Sequence, residues 1–202
     1  MTSPEDPSDT VTDRLRRVSF PTIGHFLESG FMNSGIQSAH PVANVVGVAR
    51  TVSVAGADAS AVNRAIDALG RGDVLVIDTG GNRTHAHIGL VTATAAQAAG
   101  AVAIVVDGLS TDTRELAELG LPVFSRGTTL LTTKRLDRQG HSWGEPVVCG
   151  GVVVRDGDLV LGDDNGVLAS PPEILGAVID DVERSDALEP ELLRRLSGLT
   201  QA

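Results

Sequence analysis

The chain has no tyrosine, one tryptophan and four phenylalanines among its 202 residues, and a single cysteine, Cys149. Each shortage removes a class. One thiol excludes an intramolecular disulfide framework and a multi-thiolate zinc site. So few aromatic rings leave little on which bases or sugars could stack. Basic side chains are also outnumbered: 16 Lys plus Arg against 26 Asp plus Glu give a formal charge of −10. A general nucleic-acid binder needs the reverse, because cationic surface must displace counterions from phosphates. No stretch reaches the roughly 18 apolar residues of a membrane span. Met1 to Asp6 are polar and acidic, so neither a signal peptide nor a basic transit peptide opens the sequence, and a cytoplasmic location is expected.

What is present is aliphatic. Hydrophobic residues make up 42% of the chain, and with aromatics scarce they are mostly Ala, Val, Leu and Ile, the composition of closely packed α/β layers. The 23 glycines exceed the usual ~7%, and they cluster where strands should end. A length near 200 suits one domain with trimmings.

Residues 1–10 lack an apolar period and read as a disordered tail. Two short helices are expected at Thr12 to Val18 and Ile23 to Ser29, broken by Pro21. A β-branched run follows from Val45 to Val54, then a helix over Ala59 to Leu69 that stops at Gly70. Asp73 to Asp78 and Ala101 to Val106 are continuous apolar runs, as in strands buried on both faces. Between them lie a Gly-rich loop and the Ala-rich helix Leu90 to Ala99; a helix over Thr111 to Leu119 and a strand at Pro122 to Phe124 come next. This βαβαβ order predicts parallel strands with right-handed crossovers. Thr128 to Gly144, with Lys134, Arg135 and Arg138, reads as an exposed excursion. Val147 to Val154 and Leu159 to Leu161 are expected to form a hairpin about Asp156-Gly157-Asp158, with Val167 to Ala169 a further strand. A last helix starts at Pro171–Pro172 and is expected to be interrupted at Pro190. The resulting layout is a tail (1–10), an α/β domain (11–170) and a C-terminal helical segment (171–202).

Ligands of parallel α/β sheets bind beyond the carboxyl ends of the strands. Two strand-to-helix junctions qualify. The segment Gly80 to Gly89 runs into a helix whose first amides, at Leu90, Val91 and Thr92, suit a carboxylate or phosphate. The segment Gly108 to Asp112 places one carboxylate at a second helix start, where it could anchor a hydrated divalent cation or simply cap the helix. No G-x-G-x-x-G follows Asp78, no phosphate-loop lysine is present, and there is no G-x-S-x-G elbow. His85 and His87, two apart, are a weak metal pair; loop hydrogen bonding is the simpler role. Arg83 could reach an anion, and Cys149 reads as an inert core thiol.

These residues carry a resemblance. GDVLVIDTGG (Gly72 to Gly81), the helix start at Gly89, VDG (Val106 to Gly108), LPVFSRGT (Leu121 to Thr128) and GGVVVRDGDLVLGDDNGV (Gly150 to Val167) resemble the RraA-like family. That family comprises regulators of ribonuclease activity and the related 4-hydroxy-4-methyl-2-oxoglutarate aldolases. The resemblance implies a swivelling β/β/α fold, assembly as a homotrimer or dimer of trimers, and sites between subunits. For the aldolases it implies Mg2+ or Mn2+, helix-start amides holding a pyruvate carboxylate, and a signature of an acidic residue, twenty residues, then Arg-Asp. In this chain those positions are Leu90, Thr111 and Asp112, so one charged residue of three is kept. A second carboxylate from a neighbouring subunit's C-terminal helix is implied too, with Glu189 the best spacing match and Glu183 and Glu191 as alternatives.

Leucine cannot hold a metal's water shell, and threonine cannot reproduce a guanidinium's bidentate grip. The family weight places first a divergent lyase acting on a small 2-oxo acid. Asp112 would anchor the metal, the Gly89–Thr92 segment would bind substrate, and Thr111, His87 and Arg83 would serve in catalysis. The alternatives are a non-catalytic regulator binding a protein partner, and an enzyme of different chemistry on the same scaffold. No nucleic-acid or membrane partner is expected.

Overall fold

A computed structural model describes residues 10–137 and 139–199; the expected tail lies outside them except for Thr10. The described residues fall into two compact units, Gly30–Pro171 and residues 10–29 with 172–199.

The larger unit contains β1 (Gln37–Ser38), β2 (Val45–Ser53), α3 (Ser60–Ile66), β3 (Asp73–Asp78), β4 (Ala86–Ile88), α4 (Leu90–Ala99), β5 (Ala103–Asp107), β6 (Leu109–Ser110), α5 (Thr113–Leu119) and β7 (Val123–Ser125). It continues with β8 (Ser142–Trp143), β9 (Val147–Cys149), β10 (Val152–Val154), β11 (Leu159–Asp163) and β12 (Gly166–Ser170). The main sheet has the order β1-β7-β5-β3-β2-β11-β12, with β8 added on β2. The pairs β2–β3, β3–β5 and β5–β7 are parallel, as the βαβαβ order predicts.

Side chains of β3 and β5 alternate between two buried faces, which is why both strands read as unbroken apolar runs. Leu75, Ile77, Ile104 and Val106 pack with Ile88, Ala93, Ala96 and Leu116. On the opposite face Val74, Val76, Ala103, Val105 and Phe124 pack with Val147, Cys149 and Val160. Phe124, fully buried, brings the end of its ring against Gly162 of β11, where an added Cβ would sit 2.7 Å from Phe124 Cζ. Gly162→Ala is therefore expected to overpack this layer and cost about 1–3 kcal/mol, read as a lowered denaturation midpoint with unchanged m-value.

One strand expectation is corrected, and the exposed excursion proves to be partly bridged. The hairpin turns at Gly150–Gly151, whose φ values of 60° and 83° suit a two-residue turn with left-handed central residues. It joins β9 to β10, while β11 leaves to pair antiparallel with β2 and β12. The excursion after Gly127 is not wholly irregular, because Thr128, Thr132 and Lys134 bridge to Ser110, Ala86 and Asp58. Its far end is latched by His141, which accepts the Ala55 N–H at Nδ1 and donates from Nε2 to the buried Asp58 carboxylate.

The smaller unit holds α1 (Val11–Leu15), α2 (Phe20–Ile23) and α6 (Pro172–Leu199). The sequence boundaries grouped the first two helices with the α/β domain; in the structure both pack on α6. Arg14 pairs with Asp180 and Glu183, each at 2.6 Å, and the Asp186 carboxylate accepts the Ser19 N–H and the Thr22 hydroxyl. Pro21 does not break a helix but opens one, since its missing N–H costs nothing in the first turn. No helix forms over Ile23 to Ser29 as a whole; α2 ends at Ile23. Nor does Pro190 interrupt α6, which runs through it; one lost backbone hydrogen bond is tolerated inside a 28-residue helix. No described helix is long and apolar enough to cross a membrane.

Candidate functional site

The carboxyl ends of the parallel strands carry Asp78, Asp107 and Ser125. Beside them β4 runs through Gly89 directly into α4. Gly89 has no side chain with which to cap this helix, and the first intrahelical bond is Ala93 N–H to Gly89 O at 2.9 Å. The amides of Leu90, Val91 and Thr92 thus have no acceptor within the helix. Asp112 supplies one: its Oδ2 accepts the Leu90 N–H at 2.8 Å, and the Thr111 hydroxyl donates to Oδ1 at 3.3 Å.

Asp112 stands at the N-cap position of α5, yet its side chain does not cap that helix. A left-handed backbone, φ 58° and ψ 38°, turns it across to α4 instead. Gly89 permits the approach, since a Cβ there would lie 2.6 Å from Asp112 Oδ2. The structure thus brings together Gly89, Leu90, Thr111 and Asp112. Val91, in the first turn of α4, is 84% exposed.

The other two predicted residues lie elsewhere. His87 is buried, with Nε2 2.9 Å from Gly56 O and Nδ1 3.1 Å from His85 O. Burial pushes its pKa below the ordinary histidine value. Neither nitrogen faces Asp112. His85 instead meets the Thr84 hydroxyl at Nδ1, 2.8 Å away.

Arg83 reaches Asp107, through Nη1, at 2.8 Å from Oδ1 and 2.9 Å from the main-chain oxygen. Asp107 is a hub that the motifs did not reveal. Arg126 grips it bidentately, Nε to Oδ1 and Nη2 to Oδ2, and the Gly150 N–H donates to Oδ2 at 2.8 Å. Arg126 also holds Asn33 Oδ1 at 2.7 Å, and the Thr79 hydroxyl donates to Asp107 O. Burial opposes the Asp107 charge, but the hydrogen bonds from Arg126, Gly150 and Arg83 prevail and bring its pKa down to about 2. The sequence signal was that Asp107 and Arg126 lie in the VDG and LPVFSRGT stretches, each at the end of an apolar strand and before a glycine. Cys149 is fully buried, and burial together with the nearby Asp107 and Asp78 charges pushes its thiol up, as suits an inert core residue.

The divalent cation implied by the resemblance can be tested against these donors. Asp112 offers one carboxylate, with Oδ2 engaged by the Leu90 amide; Leu90 contributes an isobutyl group and Thr111 a neutral hydroxyl. Among the described residues no three His, Cys, Asp or Glu side chains converge to hold a metal. The described donors therefore offer a divalent cation a single carboxylate, Asp112, whose Oδ1 faces only the Thr111 hydroxyl; any further ligands would have to be waters or come from another chain.

A profile of the RraA-like family, described as Aldolase/RraA, matches residues 10–169. The chain belongs to the RraA-like family. A Halalkalibacterium halodurans protein named as a 4-hydroxy-4-methyl-2-oxoglutarate aldolase is 39% identical over 158 residues, covering 78% of this chain and 74% of that one. The solved structure of Streptomyces coelicolor RraAS2, described as an unusual member of the RNase ES inhibitor RraA family, is 26% identical with a TM-score of 0.76. That match covers 96% of this chain and 99% of that one. The RNA-processing inhibitor RraA of Thermus thermophilis is 25% identical, with a TM-score of 0.69 over 77% of this chain and 93% of that one. The mixed α/β fold of this RraA-like chain is thus shared with solved structures. Of its candidate C-terminal carboxylates, Glu183 is bound to Arg14 and Glu191 to Arg194 and Arg195. Glu189 borders a groove with Ser19, Thr22, His25 and Leu192.

Proposed function

We propose that this RraA-like protein acts by binding a protein partner, as a regulator, and not by aldol cleavage. One observation carries the reading: Arg83 and His87, the groups expected to serve beside the missing charges, and Arg126 at the next strand end all bond elsewhere. Arg83 and Arg126 both bond Asp107, and His87 is enclosed between two carbonyl oxygens. None of these three stands in for the acid and the guanidinium that the aldolase signature requires at Leu90 and Thr111. Removing one preorganised stabiliser of a developing oxyanion costs about 2.7–4 kcal/mol of barrier, and here the guanidinium and the acid are both absent. The near full-length likeness to RraAS2, whose family is described as inhibiting a ribonuclease, supports a partner of that kind. A chain of charge −10 is suited to a basic partner surface.

Two measurements test this. Oxaloacetate and 4-hydroxy-4-methyl-2-oxoglutarate, each with Mg2+ or Mn2+, are expected to turn over no faster than with metal alone. Affinity capture from the source lysate is expected to recover a stoichiometric protein partner whose retention weakens as salt rises. Metal-dependent turnover that disappears in Asp112→Ala would restore the lyase reading, which the kept Asp112 and the 39%-identical relative favour.

A further inference from the structure

We propose that a groove at the amino ends of the parallel strands binds a small neutral alcohol, with His40 Nε2 accepting its hydroxyl. Val45 opens β2, and Val102 and Pro122 immediately precede β5 and β7. Together with His40, Asn44 and Ala117 they border a groove of about 380 Å3, a size that small-molecule sites commonly have. It lies at the opposite strand ends from Asp78 and Asp107, so it is separate from the site described above and from any chemistry at Asp112.

His40 gives the groove its polar chemistry. Its Nδ1 lies 3.1 Å from Pro41 O, and a carbonyl oxygen only accepts, so the neutral ring carries its proton on Nδ1. Nε2 is then a bare acceptor, closed off from solvent and with no hydrogen-bond partner among the described residues. A buried acceptor left without a donor is destabilising, and a ligand that supplies the donor removes that penalty. The ring is held through Nδ1 to the carbonyl of the very next residue, so a small turn brings Nε2 toward the groove that the side chain already borders.

The walls select the class of donor. No Asp, Glu, Lys or Arg borders the groove, and Val45, Val102, Ala117 and Pro122 are apolar. Charges do stand outside it. Asp164 has Oδ1 on the Val42 amide, and Arg114 and Glu118, on either side of Ala117 in α5, are exposed and opposite in sign. An ammonium group would meet no counter-charge in these walls, whereas an alcohol needs one acceptor and an apolar surface for its body.

The test uses the full chain, 15N-labelled, at about pH 8, where an ordinary histidine is neutral. Benzyl alcohol is titrated in parallel with benzyl methyl ether, which keeps the apolar body and lacks the donor. The His40 Nε2 resonance, assigned by its loss in His40→Phe, is expected to move and saturate with the alcohol and to stay in place with the ether. Alcohol binding, read from the amide resonances of Val42 to Val45, is expected to weaken about 10-fold in His40→Phe, which keeps a ring and removes the lone pair. Ala117→Phe, on the exposed α5 wall, is expected to fill the groove and abolish binding. An unmoved Nε2 resonance, equal affinity for the ether, or undiminished alcohol binding in His40→Phe would overturn the site. A response to benzylammonium and none to benzyl alcohol would overturn the neutral ligand class.

Discussion

Leu90→Asp combined with Thr111→Arg is expected to give this protein metal-dependent lyase activity it otherwise lacks. With Mg2+ or Mn2+, cleavage of 4-hydroxy-4-methyl-2-oxoglutarate should rise at least about 100-fold over the parent, the scale of one restored oxyanion stabiliser. Each single variant should gain far less, because a cation held without the guanidinium leaves the enolate charge unmet, and the reverse is equally incomplete. The backbone is already suited to the change. Residue 90 opens α4, with its amide on Asp112 Oδ2, and residue 111 adjoins Asp112 and carries a hydroxyl in reach of Oδ1. An aspartate at 90 would stand beside the Asp112 carboxylate, and two like charges at close range favour an added cation. The arginine at 111 needs room, and Thr111 is only half-buried. Steady-state kinetics with and without chelator decides the matter. A folded double variant with no chelator-sensitive turnover would show that the silence of the site has another cause.

The pattern that made the fold legible was local. β3 and β5 are buried on both faces, so their apolar runs needed no knowledge of the rest of the chain, and α4 falls on Leu90 to Ala99 as its spacing predicts. The glycine-rich turns were legible as ends but not as partners. Gly150–Gly151 and Asp156-Gly157-Asp158 are both turn sequences, and only the pairing of β11 with β2 shows which one closes the hairpin. The two prolines depart from expectation for different reasons: at Pro21 the missing N–H has no intrahelical acceptor to lose, whereas at Pro190 an acceptor is lost and the 28-residue helix tolerates it. At the site, the spacing of Leu90, Thr111 and Asp112 was legible because it follows a motif. Which way the Asp112 side chain turns was not, because it depends on a left-handed backbone and on the absence of a Cβ at Gly89. The Asp107 hub was invisible for a similar reason, since its donors come from Arg83, Arg126 and Gly150, three segments distant in sequence.

Asp107→Asn is expected to be the most damaging conservative change in the larger unit. The substitution keeps the shape but removes the charge, leaving Arg126, only 17% exposed, without its counter-ion. Breaking a buried pair from one side costs about 3–5 kcal/mol; the exposure of Arg83 moderates this, and about 3 kcal/mol is expected. In a chain of this size that corresponds to a melting temperature lower by about 6–12 °C. The same group sets an acid limb. Its folded pKa of about 2 lies below the ordinary aspartate value of 3.8, so the unfolded chain takes up the proton first as pH falls. Its contribution is complete above about pH 4 and is lost between there and about pH 2, amounting to about 2 kcal/mol. Urea unfolding at pH 7, 4 and 2.5 should therefore show parent and Asp107→Asn converging as the pH drops through this window. Curves that stay parallel at every pH would mean that packing at residue 107, and not its charge, holds the strand ends together.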